Sequence, residues 1–330
     1  MTTRPKPVTR CAAAPRPWFV DPDRARNPQR QRTNLLRFRY RLLDWTVPTR
    51  REFLKKSLAV GAVAAAGLGA FSLYEPHELE ITRVDIPLRR LPADLDGFRI
   101  AQLSDLHFRP FTTEAEISGA VSAVNALQPD LVVLTGDFVS MATFGDARAS
   151  AGHITTCAQL LTALRAAHGA LAVLGNHDIG TDPMVVAGSL QEHRIPVLRN
   201  RAVPLEHKSA VLWIAGLDDG EYGLADIPRA LAGVPAGMPV VLLAHEPDLA
   251  DPVSRYAVDL QISGHSHGGQ ITVPLLGPPY LPRLGQKYWR GLYRVGNLQL
   301  YTNRGIGTIG LPMRFGSPPE VTLFTLRSRA

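Results

Sequence analysis

The chain has 330 residues, with 45% hydrophobic and 20% charged residues, which excludes a largely disordered or collagen-like polymer and leaves ample length to bury a core. Its two cysteines, Cys11 and Cys157, exclude a disulfide framework and a cysteine-rich zinc or iron–sulfur site. The net charge of +7 is unevenly spread: residues 1–56 hold fifteen basic and four acidic residues, and residues 57–330 hold 21 and 25. The basicity therefore belongs to a leader, and no nucleic-acid partner is expected for the body.

In chain order, residues 1–48 are rich in Arg and Pro and read as a basic, mostly disordered leader. Residues 49–74 read differently. Arg50 and Arg51 precede Phe53, Leu54 and Lys55, and an uncharged run rich in Ala and Gly follows from Ser57 to Tyr74. This pattern resembles a twin-arginine export signal, an address read by a translocase. As a helix the run would reach about 27 Å, barely a membrane span. No clean cleavage site separates it from the body, which leaves an uncleaved anchor open.

From Leu79 onward apolar strands alternate with amphipathic helices. Strands are predicted at Leu79–Ile86, Phe98–Leu103, Leu131–Thr135, Leu171–Leu174, Val211–Leu217, Val240–Leu243 and Leu260–Ser263. Helices are predicted at Thr113–Leu127, Ala147–Ala167, Pro183–His193 and Ile227–Leu231, Pro129 stopping the first of them. The segments Tyr288–Tyr293, Leu298–Tyr301 and Val321–Leu326 read as an all-β closure. This alternation predicts an α/β sandwich with parallel-type connections, one domain over residues 79–328.

Five predicted strand ends carry polar residues: Ser104-Asp105-Leu106-His107, Gly136-Asp137, Gly175-Asn176-His177-Asp178, Ala244-His245-Glu246 and Gly264-His265-Ser266-His267. In open α/β sheets the ligand site lies beyond the carboxyl ends of the strands, so five distant segments are expected on one rim. Asp105 with His107, and His265 with His267, are i, i+2 pairs. In extended backbone each pair would project from one face toward one metal. The glycines before Asp137, Asn176 and His265 permit close backbone approach. Carboxylate, imidazole and amide donors without sulfur suit manganese, iron or zinc. Taken singly, each histidine is more readily a core or surface residue; five of the ten fall inside the ordered motifs.

Those motifs, in that order, resemble the signature of the calcineurin-like metallophosphoesterases. Gly268-Gly269-Gln270 and Arg304-Gly305-Ile306-Gly307 resemble their exported, membrane-associated bacterial phosphodiesterase branch. The resemblance implies a four-layer α/β/β/α sandwich. It implies two divalent metal ions (manganese, iron or zinc), one held by Asp105, His107 and His267 and one by Asn176, His245 and His265, with Asp137 bridging. It implies His177 as a catalytic histidine acting on the leaving-group oxygen, oriented by Asp178. The reaction implied is in-line hydrolysis of a phosphodiester or pyrophosphate by a water that the cations activate. Kin of that branch cleave UDP-diacylglucosamine, so a lipid-linked envelope substrate on the outer face of the cytoplasmic membrane is expected by analogy. A phosphomonoesterase or nuclease on the same fold, and a non-catalytic metal-binding module, are the alternatives. One departure is visible: relatives carry an Asp three residues beyond the bridging one, where this chain has Ser140.

Two further motifs mislead. Gly264-His265-Ser266-His267-Gly268 fits a nucleophile elbow, but no His follows His267 to complete a triad. Gly305-Ile306-Gly307-Thr308-Ile309-Gly310 fits a dinucleotide fingerprint but precedes Leu311-Pro312 rather than a helix.

Overall fold

The computed structural model describes residues 50–141 and 147–329; the predicted leader 1–48 lies outside them. Residues 56–330 form one unit. In the first half of the described residues the elements are α1 (Arg50–Tyr74), β1 (Glu80–Leu88), β2 (Arg99–Leu103), α2 (Glu114–Ala126), β3 (Leu131–Thr135), α3 (Ala147–Leu161), β4 (Ala170–Val173), α4 (Asn176–Thr181) and α5 (Pro183–Glu192). The second half adds β5 (Arg201–His207), β6 (Ala210–Gly216), α6 (Ile227–Leu231), β7 (Val240–Leu243), α7 (Ala250–Val253), β8 (Leu260–Ser263), β9 (Gly291–Val295), β10 (Leu298–Thr302) and β11 (Glu320–Ser328).

The strands form two mixed sheets, ordered β1-β11-β2-β3-β4 and β5-β6-β7-β8-β10-β9. Side-chain alternation along the strands explains why they stack. On the first sheet Ala101, Leu103, Val132 and Leu134 face helices α2, α3 and α5, meeting Ile117, Val124, Ile154, Cys157 and Leu190. Their neighbours Ile100, Leu131 and Val133 face the second sheet, meeting Ile214, Val241, Leu243 and Ile262. The other face of the second sheet, with Ala215, Leu242 and Leu300, is covered by Ile227 and Ala230 of α6 and Val253 of α7. Three apolar interfaces separate four layers, the expected α/β/β/α sandwich.

Local chemistry sets the helix ends. Thr113 and Glu116 cap α2 reciprocally: the Glu116 N–H donates to Thr113 Oγ1 at 3.3 Å and the Thr113 N–H to Glu116 Oε2 at 2.7 Å. Asp182 caps α5, with Pro183 at its first position. Helix α3 stops at Leu161, six residues before the predicted end. The Asn125 side chain donates to the Ala163 carbonyl at 2.8 Å and accepts from the Arg165 N–H at 2.7 Å, turning the chain back toward β4.

The C-terminal segments do not close a single sheet. The β9–β10 hairpin extends the second sheet, with β10 parallel to β8. Strand β11 crosses to the first sheet and inserts between β1, to which it is parallel, and β2, to which it is antiparallel. The predicted signal segment is helical over Arg50–Tyr74. Among the described residues no helix is long and apolar enough to cross a membrane, because the Ala- and Gly-rich run has too little apolar surface per residue.

Candidate metal centre

The carboxyl ends of β2, β3 and β4 in one sheet and of β7 and β8 in the other deliver the five motifs to one rim. Asp105, His107, Asp137, Asp178, His245, His265 and His267 are all buried, and Asn176 and His177 are half-buried. The side chains fall into overlapping groups with potential ligand atoms within 4.8 Å of one another: Asp105, His107 and His267; His107, Asp137 and His177; Asp137, His245 and His265. Asp137 links the outer two. Its Oδ2 lies 3.4 Å from His107 Nε2 and 3.2 Å from His245 Nε2. Its Oδ1 accepts the His177 backbone N–H at 2.9 Å.

Asn176 joins the second group. Its Oδ1 lies 3.2 Å from His245 Nε2 and 3.1 Å from His265 Nδ1. The opposite ring nitrogens face carbonyls, His245 Nδ1 with Thr135 at 2.7 Å and His265 Nε2 with Arg283 at 2.7 Å. Each ring thus has its outward nitrogen matched to a carbonyl acceptor, which leaves the inward nitrogen to ligate a metal once that nitrogen is unprotonated. In the first group His107 Nε2 and His267 Nε2 face each other at 3.0 Å, and His267 Nε2 is 3.5 Å from Asp105 Oδ1.

The donor set fits a pair of divalent cations on electrostatic grounds. Asp105 and Asp137 are at most 1% exposed, and neither has a Lys or Arg ion-pair partner among the described residues. Buried carboxylates need compensating positive charge. Burial pulls the His245 imidazole down, but Asp137 and then Asp105 outweigh it and hold His245 well above its ordinary value. His265, by contrast, is lowered to about 3 by burial and the neighbouring His245.

The backbone that presents these residues is not extended. Asp105, His107, Asp137, His265 and His267 have φ between 42° and 70°, a left-handed conformation uncommon for residues with a side chain. The i, i+2 pairing in extended strand therefore does not describe either loop. Asp105 and His107 do converge, through tight turns, whereas His265 and His267 belong to different groups. The glycine expectation holds for contact reasons. A Cβ on Gly175 would strike Asp137 Oδ1, and one on Gly264 would strike Ser104 Oγ and Asp105 Oδ2.

Asp178 does not orient His177. Its carboxylate accepts the backbone N–H groups of Asp137 at 2.8 Å, Phe138 at 2.9 Å and Gly175 at 3.0 Å, tying the β3 and β4 loops together. Burial, with Asp137 adding to it, pushes Asp178 up to about 7 against the pull of those donors. His177 is oriented instead by the Met141 N–H, which donates to Nδ1 at 3.0 Å. Burial lowers this imidazole to about 4, so the ring is neutral at pH 7 with its proton on Nε2. Ser140, at the position of the missing Asp, places Oγ 3.3 Å from His107 Nδ1.

Arg314 was not foreseen. It is fully buried, donates to the carbonyls of Ser317 at 2.8 Å and Arg304 at 3.0 Å, and places Nη2 3.4 Å from His267 Nδ1. Ser317 Oγ donates to the His267 carbonyl at 2.8 Å. The Glu75 carboxylate accepts the N–H groups of Gly316 and Ser317 at 2.9 and 2.7 Å. The one sequence signal was an Arg in the loop before β11, which it shares with Arg304. The two misleading motifs acquire structural roles. Ser266, 2% exposed, donates to the Trp289 carbonyl. The glycines of the other motif let the loop lie against β2, where the Ile306 and Gly307 N–H groups donate to the Ser104 and Asp105 carbonyls at 3.0 and 2.7 Å.

A cleft of about 510 Å³ opens over His107, Asp137, Asn176, His177, His265 and His267. Ile271, Pro279, Tyr280, Pro282 and Ile309 form its apolar wall, and Glu221 and Arg283 add charge.

Residues 98–269 match the calcineurin-like phosphoesterase family, the stretch that carries all five motifs. The chain is 38% identical over 286 residues to an uncharacterised metallophosphoesterase, YkuE, of Bacillus subtilis, covering 85% of this chain and 98% of that protein. It is 31% identical to the phosphodiesterase YaeI of Escherichia coli, covering 84% and 99%. It is 29% identical to the UDP-2,3-diacylglucosamine pyrophosphatase LpxG of Chlamydia muridarum, covering 82% and 97%. With a rim of clustered His and Asp residues able to hold metal and near end-to-end similarity to such relatives, the chain belongs to the calcineurin-like phosphoesterases, metal-dependent hydrolases of phosphoester bonds.

Proposed function

We propose that the protein is a binuclear phosphodiesterase acting on phosphodiester or pyrophosphate bonds of a lipid-linked envelope substrate. The observation that carries this reading is Asp137 Oδ2, within 3.4 Å of both His107 Nε2 and His245 Nε2. Asp105, His107 and His267 would hold one divalent cation (manganese, iron or zinc), and Asn176, His245 and His265 the other, with Asp137 between them. Such a pair supplies charge stabilisation for phosphoryl oxygens and an activated water. The protein's own residues do the rest. Asp178 fixes the loops on which Asp137 and Asn176 sit. His177, held by Met141, offers its Nε2–H to an oxygen of the reacting phosphate, a hydrogen bond that strengthens as charge develops there. The apolar wall from Ile271 to Pro282 suits an acyl-bearing leaving group. The names of the relatives YaeI and LpxG support the diester and lipid-pyrophosphate substrate classes.

Elemental analysis with parallel assays on a bis-nitrophenyl diester, a nitrophenyl monoester and a lipid-bearing nucleoside pyrophosphate tests this. The wild-type chain is expected to carry two metals and prefer the diester and the pyrophosphate; Asp137→Asn is expected to lose both occupancy and rate. Two metals retained in Asp137→Asn would overturn the bridging role. Export through the twin-arginine translocase, with the mature protein at the membrane's outer face, is supported by Arg50-Arg51 and the uncharged run behind them. The double variant Arg50→Lys/Arg51→Lys is expected to stay protected from protease added outside the cytoplasmic membrane. Unchanged accessibility would sink the export reading.

A further inference from the structure

A second cavity, of about 390 Å³, lies at the other end of β8 from the metal centre. It opens among the residues preceding β8 and β10 and those at the ends of β1, β9 and β11. Arg89, Arg90, Arg255, Arg294 and Arg329 line it, and Asp259 is its one carboxylate. That carboxylate is already engaged. Arg90 Nε and Nη2 donate to its two oxygens at 2.9 and 2.8 Å, and the Val240 N–H donates to Oδ2 at 2.8 Å.

The other four guanidinium groups form no ion pair among the described residues. Arg294 donates to the Gly296 carbonyl at 3.3 Å. Composition does not account for this gathering, since residues 57–330 hold 21 basic against 25 acidic residues and five of the 21 share one cavity. Like charges brought together repel unless an anion sits among them. Each guanidinium presents a planar fork that matches two oxygens of a phosphate. Arg90, fixed by Asp259, gives the cavity a preorganised base, while Arg255, Arg294 and Arg329 stand exposed at its mouth. The volume is that of a small-ligand site, typically about 300–1,000 Å³. No cluster of potential metal-ligating side chains lies there among the described residues.

We propose that this arginine cavity binds a multiply charged, phosphate-bearing anion at a site separate from the metal centre. The anion is either a free polyphosphate-like molecule or the headgroup of an anionic lipid. Hydrogen exchange followed by mass spectrometry on the full metal-loaded chain reads the location directly, with methylenediphosphonate as the soluble probe and vesicles containing phosphatidic acid, whose phosphomonoester is multiply charged, as the lipid probe. Phosphatidylcholine vesicles are the control. Residues 1–56 would themselves hold anionic vesicles, so protection at the cavity segments is scored rather than total binding. Slowed exchange is expected at 254–259 and 294–299 with one of the two anionic probes, which identifies the source. In Arg255→Ala/Arg294→Ala this protection is expected to weaken by about tenfold or more in probe concentration, two charge-assisted contacts being removed. Hydrolysis of the bis-nitrophenyl diester by that variant is expected to match wild type, which shows that the fold and the metal centre are intact. Protection confined to the metal-site loops, no protection with either probe, or protection that the double substitution leaves unchanged would each overturn the proposal.

Discussion

Followed from Asp259 to His265, β8 passes from a basic and largely exposed rim to an acidic and buried one, and the backbone changes character along with the charge. At the amino end the arginines stand in open cavity, and four of the five are exposed. At the carboxyl end Gly264 is pressed against Ser104 and Asp105, and His265 and His267 adopt φ of 70° and 52°. Arginine stems reach a ligand through flexible side chains and tolerate small backbone shifts. The metal-site residues depend on the path of the main chain itself. The same strand thus ends in one site that adapts and one that is fixed by packing, and substitutions at the two ends are expected to differ in kind.

Gly264→Ala tests the fixed end most severely. Its Cβ would meet Ser104 Oγ and Asp105 Oδ2, both on the buried β2 loop, so either that loop moves or β8 does. A destabilisation of about 1–3 kcal/mol is expected from overpacking, with metal retention and diester hydrolysis lost together. Thermal unfolding and elemental analysis read both. Wild-type metal content in a folded Gly264→Ala protein would show the carboxyl end to be as adaptable as the amino end.

His177→Ala should separate positioning from chemistry at the same rim. Two metals per chain are expected to remain, while diester hydrolysis falls roughly 10²–10³-fold, the cost of removing one well-placed donor. The imidazole pKa of about 4 means that His177 is neutral in the folded protein above about pH 5. The wild-type to variant rate ratio is therefore expected to be flat from pH 5.5 to 8.5. A ratio that falls as pH rises through 6–7 would restore His177 as a proton-donating acid.

Arg314→Leu carries the smallest expected effect. The guanidinium backs His267 and ties the carbonyls of Ser317, Arg304, Gly305 and Gly307, and leucine keeps much of the volume. Loss of one such supporting partner costs typically about 10–100-fold in metal affinity, measured by chelator competition. The monoester-to-diester preference should stay constant. Unchanged affinity in a folded protein would confine Arg314 to loop packing.

Much of the fold is legible in the sequence. The predicted bounds of Leu131–Thr135, Val240–Leu243, Leu260–Ser263 and Ile227–Leu231 coincide with β3, β7, β8 and α6, because buried strands and capped helices announce themselves in short-range pattern. Strand β5 did not. It contains Pro204, buries only Leu205 and pairs solely with β6, so as an edge strand it carries little apolar signal. Helix α4 was hidden because Asn176, His177 and Asp178 read as loop chemistry while their backbone forms the first turn of a six-residue helix.

The sequence by itself determined which residue types gather and in what order, since a run of carboxylates and imidazoles at apolar strand ends has no place in a core without a shared charge to hold. Tertiary structure alone decided that β11 leaves the C-terminal hairpin to divide β1 from β2. It decided that Asp178 serves main-chain N–H groups while His177 answers to Met141, and that Arg314 backs His267. It also gathered five arginines, distant in sequence, into one cavity. Each of these rests on contacts between residues tens to hundreds of positions apart, whose partners are set by burial and hydrogen-bond satisfaction across layers, and local periodicity carries no record of them.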